Sequence, residues 1–231
     1  MECVSNPGML NSYLTKYNLS RVFEKDISHL MTLHSFNKGE YIFRANEKVE
    51  YLYFMVEGKA KVYTLLQNGK SLLLRFYKPF VVIGDVEFIE GNPATCNVEV
   101  TDPALCMGIS LENLHKYTMD DSTFLTFICK SLGEKLAKNS MSSAINLLYP
   151  LENRLASYIL AVAPQSGKNQ GLDGIYTDKL TELADLLGTS YRHLIRTINN
   201  LTGEGIIEKS KAKIIIKDRA SLEALAGDLY E

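Results

Sequence analysis

Cysteine and histidine are scarce in this sequence, and their positions exclude several chemistries. The four cysteines are scattered without close pairs, at Cys3, Cys96, Cys106 and Cys129. This pattern is typical of small buried thiols in a reducing compartment, and a disulfide framework is not expected. The four histidines are equally dispersed, at His29, His34, His115 and His193. A metal enzyme built on a β-barrel needs an imidazole cluster that they do not form, so we expect no metal and no cofactor.

Other absences narrow the class of protein further. No apolar run approaches the roughly 20 residues that span a bilayer, and Met1–Asn11 lacks the basic and then apolar layout of a signal peptide. We therefore expect a cytoplasmic protein without membrane contact. The sequence also shows no Ser/His/Asp arrangement and no phosphate-binding glycine loop with supporting context. An enzyme is not predicted.

Length and charge favour two domains with only a local basic patch. The chain has 231 residues, a formal net charge of -2 and a pI of about 6.1. It is long enough for two cores. The overall basic charge of a nucleic-acid coat protein is missing, so any DNA binding must depend on a local patch.

Two short amphipathic helices are predicted within Leu180–Leu201. Apolar residues recur there at helical spacing, first at Leu180, Leu183, Ala184 and Leu187, and then at Leu194, Ile198 and Leu201. Gly188 can end the first helix in a left-handed conformation, and Thr189 or Ser190 can cap the second. This is the pattern of a helix-turn-helix.

The start of the second helix carries the side chains expected to contact double-stranded DNA. They are Thr189, Ser190, Tyr191, Arg192, His193, Arg196 and Thr197. The first turns of such a helix usually touch base edges in the major groove, and an arginine there can pair with guanine. We therefore predict a sequence-specific DNA-binding helix.

A β-hairpin wing is predicted after this helix. Ile206–Ile207 and Ile214–Ile216 form two β-branched runs around a Ser210–Lys213 turn. Its predicted phosphate contacts are Lys209, Lys211 and Lys213. Residues 189–217 carry six basic and two acidic side chains, a net charge of +4. The alternative is that the lysines only protect a solvated sheet edge.

Many short strands are predicted in the first half of the chain, from Phe36 to Ile109. The candidates are Tyr41–Phe43, Tyr51–Val56, Lys59–Leu65, Ser71–Phe76, Val81–Ile83, Cys96–Val100 and Leu105–Ile109. Turn residues separate them, and Asn68-Gly69 is a strong hairpin signal. The pattern favours a rolled antiparallel sheet, so the whole chain is expected to be an α+β protein.

A long helix is predicted from Glu112 to Leu148. Leu125, Cys129, Leu132 and Leu136 follow a 4-3-4 spacing, and we call these four residues the seam. A narrow apolar seam favours a partner helix, and we predict a homodimer. The seam then turns polar, beginning at Asn139 and Ser140. These side chains are either solvated or face an effector in the roll.

The order of these elements resembles the Crp/Fnr family of bacterial transcription regulators over nearly the whole chain. The strongest points are the roll segment GKAKVYTLLQNGKSLLLRFYKPFVVIGDVEFIEGNPAT and the Leu180–Leu201 segment, while the run SYRHL at Ser190–Leu194 looks most like the YeiL branch. The resemblance implies a cyclic-nucleotide-binding-like β-roll over residues 1–115, a dimerisation helix over 116–148 and a winged helix-turn-helix over 149–231.

The resemblance also implies where an effector would bind. The family's cyclic-AMP pocket uses a Gly-Glu pair and an Arg-Ser pair, and the matching positions here are Gly84-Asp85 and Ala94-Thr95. Ala94 offers no charge to a phosphate, so cyclic AMP is not expected to bind. Gly84, Asp85, Thr95, Asn139 and Ser140 are the candidates for contact with an unidentified effector, if the protein is not constitutive. The family's iron–sulfur and haem ligands have no counterparts.

Two alternatives remain open from the sequence. One is a redox regulator that uses Cys96, Cys106 or Cys129. The other is a ligand-binding signalling module that acts through protein contacts. Activation of transcription would require a surface for RNA polymerase, and no residue pattern marks one.

At the predicted DNA-binding helix, Arg196 is retained from the family, whereas Tyr191 and Arg192 predict a different half-site.

Overall fold

The computed structural model describes residues 1–163, 174–176, 179–210, 213–227 and 229. The chain divides into two compact units. The first unit comprises Met1–Val62 and Tyr77–Lys138, and the second comprises Tyr63–Phe76 and Asn139–Glu231. Within the described residues, no helix has the length and apolar character needed to cross a membrane.

The first part of the chain forms the antiparallel roll that the sequence predicts. Its elements are β1 (Glu2–Val4), α1 (Pro7–Lys16), β2 (Thr32–Phe36), β3 (Tyr41–Phe43), β4 (Tyr51–Leu65), β5 (Ser71–Tyr77), β6 (Val81–Ile83), α2 (Asp85–Glu90), β7 (Asn97–Ser110), α3 (Leu111–Thr118) and α4 (Ser122–Leu148). Short 3-10 turns lie at Leu19–Arg21 and Ser28–Leu30. The sheet order is β1-β2-β7-β4-β5, with β3 paired to β7 and β6 to β4.

Two predicted pairs of short strands are single long strands. Tyr51–Val56 and Lys59–Leu65 join as β4, and Cys96–Val100 and Leu105–Ile109 join as β7. Gly58 allows β4 to continue because it has a φ of +87°. A Cβ at Gly58 would lie 2.3 Å from the Pro103 carbonyl oxygen, so only glycine fits at this close approach of two strands.

The structure also contains elements that the sequence did not predict. These are β1, α1, β2 and α2 in the first half and β8 and α8 in the second. A local signal for α1 was present, because Asn6 caps the helix by accepting from the Met9 N–H at 3.0 Å and Pro7 occupies its first turn. The strands β1 and β2 pair with each other and with β7, a long-range contact that a short sequence window does not contain.

The core of the first unit lies between the sheet and the start of α4. Leu52 and Phe54 of β4 are fully buried, as are Phe124 and Ile128 of α4. The Phe124 ring stacks on Phe23 at a centroid distance of 4.9 Å. Side chains spaced one turn apart thus fix one face of α4 on the roll.

The predicted long helix is present as α4, but the prediction that it starts at Glu112 is wrong. The helix α3 ends at Thr118, and α4 begins at Ser122. The Asp121 carboxylate accepts from the Phe124 N–H and from the Glu24 N–H, each at 2.8 Å. Asp121 therefore caps a new helix, and it does so with a partner from another part of the chain.

The second unit contains the winged helix-turn-helix. Its elements are α5 (Leu151–Val162), β8 (Gly174–Tyr176), α6 (Leu180–Leu186), α7 (Tyr191–Gly203), β9 (Ile207–Lys209), β10 (Lys213–Ile216) and α8 (Arg219–Ala226). The three strands pair antiparallel in the order β8-β10-β9. The core that they share with the helices includes Leu155, Leu187, Leu194, Ile198 and Ile214.

The β4–β5 hairpin supplies part of the same core. Leu73 and Phe76 of β5 are buried with the residues of α5, and the Phe76 ring lies 6.0 Å from that of Tyr158. The side-chain amide of Asn146 donates to the Leu73 carbonyl at 3.5 Å. The hairpin is therefore part of the packing that supports α6 and α7.

Candidate DNA-binding site

The turn between α6 and α7 has the geometry that the sequence predicts. Gly188 adopts a left-handed φ of +60°. Its N–H donates to the Asp185 carbonyl at 2.9 Å, and the Thr189 N–H donates to the Ala184 carbonyl at 2.9 Å. These bonds satisfy the last carbonyls of α6 and turn the chain into α7.

A buried arginine supports this turn. Arg154 of α5 is 8% exposed, and its guanidinium donates to the Leu187 carbonyl at 2.6 Å. A charge-assisted hydrogen bond to the carbonyl at the end of a helix is stronger than a neutral one. Sequence reasoning missed Arg154, because its partner lies 33 residues further along the chain.

Ser190 begins α7, as one of the two predicted capping residues. Its hydroxyl accepts from the His193 N–H at 3.2 Å. The Thr189 hydroxyl lies 3.3 Å from Nδ1 of His193. One side of the imidazole is therefore held by Thr189.

The exposed face of the first turns of α7 contains most of the predicted contact residues. Ser190, Arg192, His193 and Arg196 are exposed, and Tyr191 is 51% exposed. We call these five residues the α7 face. Asn199 and Asn200 are exposed on the following turn and were not predicted.

Thr197 lies outside the α7 face. It is only 7% exposed, and its hydroxyl donates to the His193 carbonyl at 3.1 Å. A threonine whose hydroxyl bonds to the preceding turn has little left to offer a base. The candidate site is therefore built without it.

The wing is a short antiparallel hairpin. Ile214 pairs with Lys209, and the Ser210 N–H donates to the Lys213 carbonyl at 2.8 Å. Lys209 is exposed and Lys213 is half-buried, whereas Lys211 lies outside the described residues. Lys217 and Glu208 form an exposed ion pair at 2.9 Å, so this lysine is partly neutralised.

The predicted effector residues are divided between the two units. Gly84, Asp85 and Thr95 belong to the first unit, and Asn139 and Ser140 belong to the second. Gly84 precedes α2 with a φ of +99°, and Asp85 is only 1% exposed. Thr95 is exposed and its hydroxyl is directed to the Cys96 sulfur at 3.8 Å, while Asn139 accepts from the guanidinium of Arg75.

The cysteines differ in their surroundings, and the expectation that all four are buried is wrong. Only Cys106 is buried, while Cys3 and Cys129 are exposed. Burial raises the pKa of the Cys106 thiol, which disfavours the reactive thiolate. Among the described residues, no three His, Cys, Asp or Glu side chains come together to hold a metal ion.

A β-roll followed by a winged helix-turn-helix with an exposed basic helix defines a DNA-binding regulator. The cyclic nucleotide-binding domain family matches residues 33–121, and the Crp-like helix-turn-helix domain family matches residues 153–225. The regulatory protein YeiL of Escherichia coli is 30% identical over 207 residues, which cover 90% of this chain and 91% of YeiL. The chain belongs to the Crp/Fnr family of transcription regulators.

Other relatives agree with this assignment. The transcriptional regulator LdrP of Thermus thermophilus is 25% identical over 85% of this chain and 97% of its own. A crystal structure of a Crp/Fnr-family regulator from Eubacterium rectale superposes with a TM-score of 0.72 at 18% identity, covering 87% of this chain and 92% of that one. A CRP-family regulator from Thermus thermophilus gives 0.66 at 23% identity, with coverages of 86% and 98%. At such identities the two structures support the fold alone.

Proposed function

We propose that this regulator binds a palindromic site in double-stranded DNA as a homodimer. The observation that carries the proposal is the α7 face, where the exposed side chains of Tyr191, Arg192, His193 and Arg196 project from the first turns of a capped helix. Lys209 and Lys213 of the wing supply positive charge for phosphate contacts.

The two arginines are the proposed base readers. Arg192 and Arg196 lie one helical turn apart on the exposed side of α7, so both can reach the same major groove. Each can donate two hydrogen bonds to guanine O6 and N7. Tyr191 adds an aromatic edge in the first turn, and together with Arg192 it is expected to select a half-site that differs from that of the cyclic-AMP-activated members.

A second copy of the chain is the proposed partner of the seam. Leu125 and Leu132 are half-buried, Cys129 is exposed and Leu136 is 69% exposed. A narrow apolar stripe on a long helix is suited to a parallel partner helix. Two α7 helices joined by such a dimer would read half-sites about 34–36 Å apart, which is one turn of DNA.

Cyclic AMP is not the proposed effector, although relatives in Mycobacterium tuberculosis are named as cAMP-activated. Ala94 is 2% exposed and both of its backbone groups are bonded, with its N–H donating to Glu47 at 3.0 Å. It therefore offers neither charge nor free donor to a phosphate. An unidentified effector or constitutive activity remains the proposal.

Selection of random duplex DNA by the purified protein tests the proposed function. The wild-type chain should enrich a palindromic motif at a fixed salt concentration, and Arg192→Ala/Arg196→Ala should lose it, with affinity for the selected site falling about tenfold or more. Arg21→Ala is the matched control, because Arg21 is an exposed arginine of the first unit. Enrichment of no motif with wild-type protein, alone or with metabolite mixtures, would refute the proposal.

A further inference from the structure

A buried ion pair occupies the predicted effector position at Asp85. Lys135 of α4 reaches into the roll, where its ammonium lies 2.5 Å from Oδ1 of Asp85. The side chains are 13% and 1% exposed, respectively. The same ammonium donates to the Val82 carbonyl at 2.8 Å and lies 5.5 Å from the centre of the Tyr77 ring.

Both oxygens of the Asp85 carboxylate accept hydrogen bonds from the protein itself. Oδ1 also accepts from the Val86 N–H at 3.1 Å, and Oδ2 accepts from the Ser131 hydroxyl at 2.7 Å. Ser131 and Lys135 are one helical turn apart on α4, so both reach Asp85 from the same face. Asp85 opens α2, where a carboxylate is also favoured by the helix dipole.

The surrounding charges favour an ammonium at this position. Glu87, which lies on α2 with Asp85, is a second buried carboxyl group and is 9% exposed. Its pKa is raised mainly by burial and further by the neighbouring Asp85, while Lys135 opposes the rise. Loss of the Lys135 ammonium would leave Asp85 buried without a counter-ion, and an unpaired buried charge is strongly unfavourable.

We infer that Asp85, held by the Ser131 hydroxyl, and the Val82 carbonyl form an internal primary-ammonium site that Lys135 fills, in place of an external effector. All of these residues belong to the first unit. The site fixes the roll to the part of α4 that carries the seam, which spans Leu125–Leu136. The roll therefore holds the dimerisation helix without a ligand, and the regulator is constitutively active. The DNA readout of this inference rests on the proposed function, whereas its structural readout does not.

Hydrogen exchange of the full-length protein tests the ammonium site. Lys135→Met keeps the length of the side chain but removes the charge, and it should accelerate exchange in Val81–Glu90 and along α4 by about tenfold or more. Lys138→Met is the matched control, because Lys138 is an exposed lysine one turn further along α4. Unchanged exchange in Lys135→Met relative to Lys138→Met would overturn the inference.

Chemical rescue separates the ammonium site from a general packing defect. Lys135→Ala leaves room for n-propylamine, which replaces the deleted carbons and the ammonium. The amine should restore protection of Val81–Glu90, while the same concentration of sodium chloride should not. Equal effects of n-propylamine and sodium chloride, or no restoration in a variant that circular dichroism reports as folded, would contradict a site for a primary ammonium.

The DNA readout tests the constitutive activity. Wild-type protein should bind its selected site without added ligand, and Lys135→Met should bind about tenfold or more weakly, with Lys138→Met within about twofold of wild type. If Lys135→Met exchanges faster but binds DNA as wild type does, the ammonium site is structural and the link to activity is wrong. If wild-type protein selects DNA only with added metabolites, the constitutive activity is wrong while the proposed function stands. If it selects no DNA with or without them, the proposed function fails while the exchange result still decides the ammonium site.

Discussion

At the residue scale, one serine hydroxyl determines where α7 begins. Ser190 accepts from the His193 N–H at 3.2 Å and is itself exposed. We expect Ser190→Ala to lower the free energy of unfolding by about 1 kcal/mol, because the first turn of α7 then loses its capping acceptor. Urea unfolding followed by circular dichroism measures this change.

The control for this prediction keeps the acceptor. Ser190→Asp retains a capping oxygen at the same position, so its stability should stay close to that of wild type. A loss of equal size in both variants would show that the serine acts through something other than the cap.

A buried histidine gives the first unit a pH dependence. His34 is 3% exposed in a cluster with the Tyr51 and Tyr53 rings, and its Nε2 lies 2.7 Å from the Thr32 hydroxyl. Burial, followed by the positive N-terminus, lowers the pKa of His34 below its ordinary value of 6.5. The folded protein therefore binds this proton less readily than the unfolded chain does.

The lowered pKa of His34 makes the free energy of unfolding depend on pH. Below a pH of about 6.5 the unfolded chain takes up the proton first, so the free energy of unfolding falls as the pH is lowered through this range. We expect His34→Phe to lose that part of the pH dependence, whereas His29→Gln, at an exposed position, should keep it. Urea midpoints measured from pH 7 to pH 5 test this prediction. If the midpoints of wild type and His34→Phe change with pH in parallel, the assignment to His34 is wrong.

The residues of the candidate site were only partly predictable. The spacing of Leu194, Ile198 and Leu201 marks the buried side of α7, and Thr197 lies beside that stripe, so its burial could have been predicted from the sequence. The pairing of Lys135 with Asp85 could not, because the two residues are 50 positions apart and only the packing of α4 on the roll brings them together.

At the scale of elements, local patterns predicted the helix-turn-helix but misplaced boundaries in the roll. The turn at Gly188 depends on a left-handed residue at the end of α6 and on a cap at the start of α7, which act within a few residues. The end of α3 depends instead on Asp121, which bonds to Glu24 across 97 positions. The joined strands β4 and β7 likewise depend on one another for their length.

Substitution of Gly58 tests whether the close approach of β4 to β7 limits which residue can stand there. A Cβ there would meet the Pro103 carbonyl oxygen at 2.3 Å and the Ala104 Cα at 2.5 Å, and φ is +87°. We expect Gly58→Ala to lower the free energy of unfolding by roughly 2 kcal/mol or more, since backbone strain adds to a clash with backbone atoms. Thermal or urea unfolding measures the loss.

Gly69→Ala separates strain from clash. Gly69 has a φ of +79°, but a Cβ there would meet nothing within 4 Å. Its substitution should cost about 1 kcal/mol, from backbone strain alone. Equal losses at the two glycines would show that the close approach to β7 is not what limits position 58.

At the scale of the whole molecule, the first unit contains α4 as far as Lys138, and the second presents α7. The roll fixes the inner face of α4 through Phe124, Ile128 and Lys135. In the seam, Leu125 and Leu132 also pack partly against the roll's core, whereas Cys129 and Leu136 are exposed. The second unit presents arginines on α7 and lysines on the wing. In the proposed homodimer a second copy would double this short reading surface, since one α7 face spans only a few base pairs.

Disruption of the seam should therefore separate dimerisation from DNA contact. Leu136 is 69% exposed and sits in the seam, so Leu136→Glu should place two carboxylates against each other in a dimer and shift the protein to monomers. Ala137→Glu adds the same charge about 100° around the helix and should leave the dimer intact. Sedimentation at several protein concentrations measures the association of both variants.

The monomeric variant should still bind an isolated half-site weakly through Arg192 and Arg196, but it should lose the gain in affinity that a palindrome gives the wild-type protein. Retention of that gain, or a wild-type chain that sediments as a monomer, would contradict the dimeric mode of binding.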